Sequence, residues 1–282
     1  MREPVLANQV DDEQLAERAY STLSEPLLPP NEAAFLRSEF DRIYGSQGSG
    51  WYNAFNDPEP GPRREADAVL AEHLHPALSK VFVGYEPFLS TYLVKWPGGE
   101  EHANFLYLHR DWMYIEETEI DRTFVVFLAL QDITEHNGAV QVLPRGNNLD
   151  QMLRGTGIVA PWLSHGDVLR PRMVPLPMRI GEAAVWDGAI VHSSGPNRSA
   201  EPRVAVGVWL RPTGRQLVHY RRLDATTATR HLVDPDFFRR ETSHSVDGTL
   251  STDPDAVEVP IREVELNSEA LAEVLALIEP GG

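Results

Sequence analysis

The chain has 282 residues, 42% of them hydrophobic, so it is long enough to bury a sizeable core. Its formal net charge of −17 disfavours binding to nucleic acid and to anionic membrane surfaces. Cysteine is absent, which excludes disulfides, thiolate nucleophiles and Cys-ligated metal sites, so a metal would have to be bound by His, Asp, Glu or backbone oxygen.

The first part of the chain has the apolar spacing of helices. This spacing predicts helices over residues 12–23, 32–44 and 64–83, with Asn31 as the N-cap of the second. A loop rich in Gly, Ser and Pro is predicted over residues 45–62. The N-terminus has no secretory pattern, and no apolar run reaches the roughly 20 residues that span a bilayer, so we expect a cytoplasmic protein.

From residue 88 onward the periodicity changes to that of strands. Short apolar or alternating runs, bounded by Gly, Pro, Asn and Asp, are typical of a β-sandwich or barrel. The predicted strands cover residues 88–96, 122–130, 139–143, 172–180, 183–187 and 203–210. Residues 147–171 are irregular and are expected to form an insertion over one end of a barrel, and residues 268–278 are predicted to form a last helix.

Two His-x-Asp triplets are candidates for metal binding, His109-x-Asp111 and His165-x-Asp167. Residues i and i+2 of a strand point to the same face, so either triplet could present an imidazole and a carboxylate to one metal. The first precedes a buried-looking apolar run, whereas the second lies in the irregular insertion. Because metal ligands need rigid support, His109-x-Asp111 is the stronger candidate.

A third element lies further along the chain. His192 ends an apolar run, so its ring is expected to point inward, and Ser194 shares its face if the strand continues. Arg203 begins an apolar run, and an inward guanidinium needs an anion, such as a carboxylate held bidentately. Two His and one carboxylate leave three positions of a ferrous ion open, as in non-heme Fe(II) oxygenases. Those positions suit a bidentate 2-oxo acid and dioxygen.

Residues 91–211 resemble the phytanoyl-CoA dioxygenase-like branch of the Fe(II)/2-oxoglutarate oxygenases. The resemblance consists of His109-x-Asp111, the run Asn-Gly-Ala-Val-Gln-Val-Leu-Pro at 137–144, and His-x-Ser-Gly-x-Asn-x-Ser from His192, with Arg203 eleven residues after that histidine. One departure follows residue 144, where the family often has Gly-Ser-His and this chain has Arg-Gly-Asn-Asn.

The resemblance implies both a fold and a chemistry. The fold would be a double-stranded β-helix, a jelly-roll or cupin-like barrel, with N-terminal helices packed on an all-β core. His109, Asp111 and His192 would bind Fe(II), and Arg203 and Ser194 would hold the 5-carboxylate of 2-oxoglutarate. The reaction would be hydroxylation, or another oxidation, of a small molecule, with O2 consumed and succinate and CO2 released. Secondary metabolism is the expected setting.

We expect residues 1–282 to form a single oxygenase domain. Within it, residues 1–83 would be mainly helical support, residues 84–222 the jelly-roll core and residues 223–282 a C-terminal extension. The net charge is −1 over residues 81–240, so the acidity of the chain lies in its flanks and does not oppose an anionic co-substrate in the core.

Substrate contacts carry a weaker signal. Trp112 and Tyr114, just beyond the aspartate, and Trp162, in the insertion, are candidates to line a pocket, although aromatic residues dominate protein cores as well. His219, among several arginines, is expected at a solvated strand edge. The identity of the substrate is not predicted, because loops choose ligands without a recognisable motif.

Two other functions stay open at this point. A cupin-like isomerase or hydrolase that uses zinc, manganese or nickel would keep the metal ligands but give Arg203 no co-substrate to bind. A non-catalytic jelly-roll binding module would need no metal and would tolerate alanine at Asp111.

Overall fold

The computed structural model describes residues 3–45, 48–98, 106–262 and 268–278. The helices in these ranges are α1 (Gln9–Arg18), α2 (Pro30–Tyr44), α3 (Pro60–Val81), α4 (Gly166–Leu169), α5 (Phe237–Arg240), α6 (Val246–Leu250) and α7 (Ser268–Ile278). The strands are β1 (Tyr20–Thr22), β2 (Trp51–Asn53), β3 (Tyr85–Lys95), β4 (Leu106–His109), β5 (Phe124–Ala129), β6 (Val140–Val142), β7 (Val174–Pro175), β8 (Ala183–Asp187), β9 (His192–Ser194), β10 (Arg203–Pro212), β11 (Leu217–Arg222), β12 (Thr227–Val233) and β13 (Val257–Pro260).

Antiparallel sheets form the centre of the molecule. The larger sheet has the order β1-β8-β5-β10-β3-β2, the smaller one β4-β9-β6-β7, and a third sheet β11-β12-β13. Alternate residues of the larger sheet enter different cores. Val126 and Val185 pack in the core shared with α2 and α3, whereas their neighbours Phe127 and Trp186 pack in the core shared with β6 of the smaller sheet. The predicted all-β core with N-terminal helices is confirmed.

The N-terminal helices differ from the prediction at their ends. α1 ends at Arg18 rather than at residue 23, because Ala19 adopts the left-handed conformation (φ 65°). Residues 20–22 form β1 instead, which pairs with β8 at the edge of the larger sheet. Asn31 is not the N-cap of α2, because Pro29 occupies that position and a proline opens the helix.

The strand predictions were accurate to within three residues at each end for β3, β5, β6, β8 and β10, but not for residues 172–180. β8 covers residues 183–187 as predicted, and α7 covers residues 268–278 as predicted. Of residues 172–180, only the two residues of β7 form a strand. β11, β12 and β13 were not predicted, because His, Arg and Glu interrupt their apolar runs. Within the described ranges, no helix is both long enough and apolar enough to cross a membrane.

Candidate active site

His109, Asp111 and His192 converge at one place in the structure. Each offers one ligand atom, and the three atoms lie within 4.8 Å of one another. His109 ends β4 and His192 begins β9, and the antiparallel register places the two residues opposite each other, with ring centroids 4.1 Å apart. Strand pairing therefore brings together residues that are more than 80 positions apart in the sequence.

Backbone carbonyl groups orient the two imidazoles. Nδ1 of His109 lies 3.0 Å from the carbonyl oxygen of Tyr107, and Nδ1 of His192 lies 3.1 Å from that of Ile190. If each Nδ1 carries the proton and donates it to the carbonyl, each Nε2 keeps its lone pair for a metal. Burial lowers the pKa of both rings to about 4, so both are neutral at neutral pH, as metal ligands must be.

Asp111 lies beyond the end of β4, and its backbone is held from two sides. Its N–H donates to the carbonyl oxygen of Gly188 at 3.2 Å, and its own carbonyl oxygen accepts from Nε of Arg154 at 2.9 Å. Arg154 is itself fixed, because its Nη2 donates to Glu117 at 2.6 Å and its carbonyl accepts from the N–H of Met113 at 3.0 Å. The carboxylate is thus positioned by side chains and loops, not by a strand.

One carboxylate oxygen of Asp111 is free to accept a hydrogen bond or to bind a metal. Its Oδ2 is buried and has no hydrogen-bond partner. Burial raises the pKa of this carboxyl, while nearby His109 and the indole N–H groups of Trp209 and Trp186 lower it, although neither indole N–H reaches hydrogen-bond geometry. An orphaned carboxylate oxygen beside two imidazole nitrogens is a donor set that fits Fe(II).

Arg203 is a buried cation without a carboxylate partner among the described residues. It is 1% exposed, and its Nη1 and Nη2 make only long hydrogen bonds, 3.3 Å each, to the carbonyl oxygens of Leu93 and Gly138. Its Nε has no partner, and its Cζ lies 5.4 Å from the centroid of the Phe127 ring. Burial lowers the pKa of Arg203 to about 9, which leaves it charged at neutral pH. A buried guanidinium with only weak hydrogen bonds can bind an anionic ligand.

The sequence analysis missed Lys95, which lies directly across from Arg203 in the β3–β10 pairing. Lys95 is fully buried, and its Nζ donates to the carbonyl oxygens of Ser194 at 3.0 Å and of Gly195 at 2.5 Å. Burial and the charge of Arg203 lower the pKa of Lys95 to about 6. A lysine that closes an apolar strand was the only signal in the sequence, and the register alone brings it to Arg203.

Two of the sequence motifs, those that contain Gly138 and Asn197, lie next to Arg203 and Lys95 in the structure. Gly138 has a positive φ of 88°, and a Cβ there would lie 2.8 Å from the carbonyl oxygen of Gly195 and 2.9 Å from Cδ of Lys95, so a larger residue would be strained. Nδ2 of Asn197 donates to the carbonyl oxygen of Lys95 at 2.9 Å, which ties the turn before Arg203 to β3. Both motifs therefore shape the surroundings of the guanidinium.

A cavity of about 580 Å³ adjoins the triad, with His109 and Trp112 in its wall. Trp162 belongs to the same wall but is fully buried. Its indole N–H donates to Asp150 at 2.8 Å. A larger cavity, of about 1100 Å³, includes none of the three triad residues among its lining. Of these two cavities, the smaller one is therefore the one that contacts a triad residue, His109.

Two other residues lie away from that cavity wall. Tyr114 is buried in the core, with its ring 5.1 Å from the rings of both Phe88 and Phe238. A substrate contact at Tyr114 stays a prediction.

The prediction for His219 was wrong, because the residue is fully buried and its Nε2 lies 2.9 Å from the hydroxyl of Thr156. The rings of Trp112, Phe237 and Phe238 pack around His219, at centroid distances of 4.6, 6.1 and 6.5 Å, and cover it despite its charged neighbours.

The second His-x-Asp triplet does not join the first. His165 ends a short 3-10 helix, and Asp167 is an exposed residue of α4. Among the described residues, the group positioned to hold a metal consists of His109, Asp111 and His192.

A sequence profile of the phytanoyl-CoA dioxygenase family matches residues 22–205. Among solved structures, the chain is similar to the non-heme α-ketoglutarate-dependent carbocyclase SnoK from nogalamycin biosynthesis, with a TM-score of 0.59 and 17% identity over 93% of this chain and 100% of that one. The non-heme α-ketoglutarate-dependent epimerase SnoN from the same biosynthesis has a TM-score of 0.51 and 18% identity, over 74% of this chain and 84% of that one.

HygX from Streptomyces hygroscopicus, solved with nickel and 2-oxoglutarate bound, has a TM-score of 0.54 and 14% identity, over 73% of this chain and 88% of that one. At these identities the similarity establishes the fold, and it confirms the cupin-like jelly-roll class expected from the sequence. No curated protein matches the chain significantly.

Proposed function

This chain belongs to the phytanoyl-CoA dioxygenase family of non-heme 2-oxoglutarate-dependent enzymes, and we propose that it hydroxylates a small molecule in secondary-metabolite biosynthesis. The observation that carries the proposal is the convergence of His109, Asp111 and His192, whose ligand atoms lie within 4.8 Å of one another. Nogalamycin biosynthesis, the source of two similar structures, supports the biosynthetic setting.

The three convergent side chains are proposed as the iron ligands. The Nε2 atoms of His109 and His192 and a carboxylate oxygen of Asp111 would hold Fe(II), and the remaining coordination positions would stay open. Bound there, iron with 2-oxoglutarate and O2 supplies the oxidising power, while 2-oxoglutarate is converted into succinate and CO2. The protein orients the ligands, as the carbonyl groups of Tyr107 and Ile190 do for the imidazoles.

Arg203 is proposed to bind the 5-carboxylate of 2-oxoglutarate, with Ser194 beside it and Lys95 paired across from it on β3. Aromatic side chains lie along the path from Arg203 to the iron ligands, and the ring of Phe127 is 5.4 Å from Cζ of Arg203. The ring of Trp186 lies 5.4 Å from that of His192, and the ring of Phe127 lies 5.9 Å from that of Trp186. These rings exclude water from the reacting centre, where a strong oxidant must be kept from side reactions.

The same residues weigh against a cupin-like enzyme that does not use 2-oxoglutarate. Such an enzyme would keep the metal ligands but would leave Arg203 buried with only carbonyl groups for partners. That arrangement is costly without an anion. We further propose that residues 1–282 act as a single oxygenase domain, that the enzyme is cytoplasmic, and that its partner is a small molecule and neither nucleic acid nor a membrane.

Anaerobic metal binding tests the proposal. Adding Fe(II) and 2-oxoglutarate to the protein should produce a weak visible charge-transfer band, and His109→Ala should lose it. His165→Ala, in the second His-x-Asp triplet, is the matched control and should keep the band. An intact protein that shows no band, or a His109→Ala variant that keeps it, would contradict the assignment.

A further inference from the structure

The cavity beside the candidate iron ligands has the size of a small-molecule site. Its volume of about 580 Å³ lies within the range of roughly 300–1000 Å³ that is usual for ligand pockets. His109 forms part of its wall, so a molecule in the cavity lies next to the proposed metal position. The chemistry of the remaining wall therefore bears on the class of substrate.

The open part of the wall is apolar. Tyr107 is 62% exposed, Val159 58% and Leu163 42%, and all three line this cavity together with Ile158 and Trp112. Large apolar side chains that are exposed next to each other around a cavity indicate a ligand that covers them. A ligand in the cavity would thus displace water from these apolar side chains.

Among the described residues, the wall offers no free charge for an ionic substrate. Apart from the proposed ligand His109, its charged side chains are Arg110 and Arg154. Arg110 is buried against Asp150 at 2.9 Å, and Arg154 is buried against Glu117 at 2.6 Å. Turning either guanidinium towards a substrate would leave a buried carboxylate unpaired, which is strongly unfavourable.

Two hydroxyl groups of the wall, those of Thr156 and Ser243, are engaged as well. The hydroxyl of Thr156 lies 2.9 Å from Nε2 of His219, and the hydroxyl of Ser243 donates to Asn56 at 2.7 Å. The described part of the wall therefore holds no charged group that is free to pair with a negative substrate.

We propose that the substrate of this enzyme is an uncharged and largely apolar molecule, not an acyl-CoA or another multiply anionic compound. The proposal rests on the function proposed above, because it takes the cavity beside His109 as the substrate site. It predicts that recognition depends on contact with Tyr107, Trp112 and Leu163, and that an anionic group on the ligand weakens binding.

Two probes with the same ring system test this proposal. The uncharged probe is 9-anthracenemethanol and the anionic one is 9-anthracenecarboxylate, with hexanoyl-CoA as a third ligand representing acyl-CoA. Binding is measured by anthracene fluorescence, or by calorimetry for hexanoyl-CoA. The protein carries Ni(II) and saturating 2-oxoglutarate, so that the carboxylate probe cannot use the co-substrate site. Binding of Ni(II) and 2-oxoglutarate is measured first, which separates a failure of the proposed function from a failure of the substrate proposal.

The alcohol should bind at least tenfold more tightly than the carboxylate, and hexanoyl-CoA should bind no better than the carboxylate. Leu163→Arg, which adds a cation to the wall, should reverse the preference between the two anthracene probes. Leu232→Arg makes the same change at a 64% exposed leucine outside the wall and should leave the preference as it is. Equal or tighter binding of either anion by the wild-type protein, no binding of the alcohol, or no reversal in Leu163→Arg would each overturn the proposal.

Discussion

Two buried arginines, Arg203 and Arg154, have opposite environments. Arg203, on β10 of the larger sheet, makes two 3.3 Å hydrogen bonds to carbonyl groups and has an unpartnered Nε. Arg154, in the segment after β6, donates at 2.6 Å to Glu117 and at 2.9 Å to the carbonyl oxygen of Asp111. Both side chains are largely removed from water, with the residues 1% and 7% exposed.

These two environments correspond to two functions of a buried guanidinium, one structural and one in ligand binding. A guanidinium that already has its carboxylate acts on the protein itself, and here it fixes the backbone of Asp111. A guanidinium that has only carbonyl groups can still bind an anion from solution, and for Arg203 that anion is the proposed 2-oxoglutarate. The contrast can be tested by removing each charge in turn.

The largest effect is expected for Arg203→Met. Removing one partner of a buried charge interaction costs roughly 2–5 kcal/mol, so the affinity for 2-oxoglutarate should fall by about 30-fold or more. The free energy of unfolding should be unchanged or higher, because a buried cation without a carboxylate is replaced by an apolar side chain. Titration of 2-oxoglutarate into the Fe(II)-loaded protein and urea unfolding measure the two quantities. An unaltered affinity would remove the contrast between the two arginines.

A smaller effect on metal binding is expected for Arg154→Met. The change frees the backbone of Asp111 and should weaken Fe(II) or Co(II) binding by about 10–100-fold, as is usual for residues that orient metal ligands. It also leaves Glu117 buried without its partner, which lowers the free energy of unfolding.

The double variant Arg154→Met/Glu117→Leu separates the two consequences. It removes both charges, so the fold should recover most of its stability, but the contact with Asp111 stays absent. Calorimetry with Co(II) should therefore still show weakened binding. Wild-type metal affinity in the double variant would mean that Arg154 serves stability alone.

A pH effect is expected at Lys95, next to Arg203. Its pKa is lowered from 10.5 to about 6 in the folded protein, so between these values the unfolded chain binds one more proton than the folded one. The free energy of unfolding should consequently rise with pH, by at most about 1.4 kcal/mol per unit from this group. Lys95→Met should lose this slope, and Lys80→Met, at the exposed second lysine, should keep it. Urea unfolding at pH 7, 8 and 9 measures it, and equal slopes in wild type and Lys95→Met would contradict the assignment.

The smallest effect is expected at the other end of β10. Arg211 pairs with Glu86 at 2.9 Å near the surface, where water screens the pair. Arg211→Met should change the free energy of unfolding by less than about 1 kcal/mol and should leave 2-oxoglutarate binding unchanged. A loss of co-substrate affinity as large as that of Arg203→Met would show that charge on β10 in general, and not a particular buried cation, supports binding.

The spacing of a few residues along the chain was enough to predict the triad and the fold class. His109 and Asp111 are two residues apart, and the spacing from His192 to Arg203 is recognisable without a structure. Uninterrupted apolar runs, such as β8, could be predicted as well, because burial on both faces leaves a continuous apolar signal. These features are local, so the sequence contains all the information they require.

The tertiary structure decided everything that depends on which strands are neighbours. The β3–β10 register brings Lys95 to Arg203, and the packing of residues 150–156 against the end of β4 brings Arg154 to Asp111. Burial of His219 likewise follows from the sheet β11-β12-β13, whose strands carry too many charged residues to be predicted. Single residues far apart in sequence carry no periodic signal. The sequence by itself therefore identified the candidate ligands, and packing determined which buried cation has no carboxylate partner among the described residues.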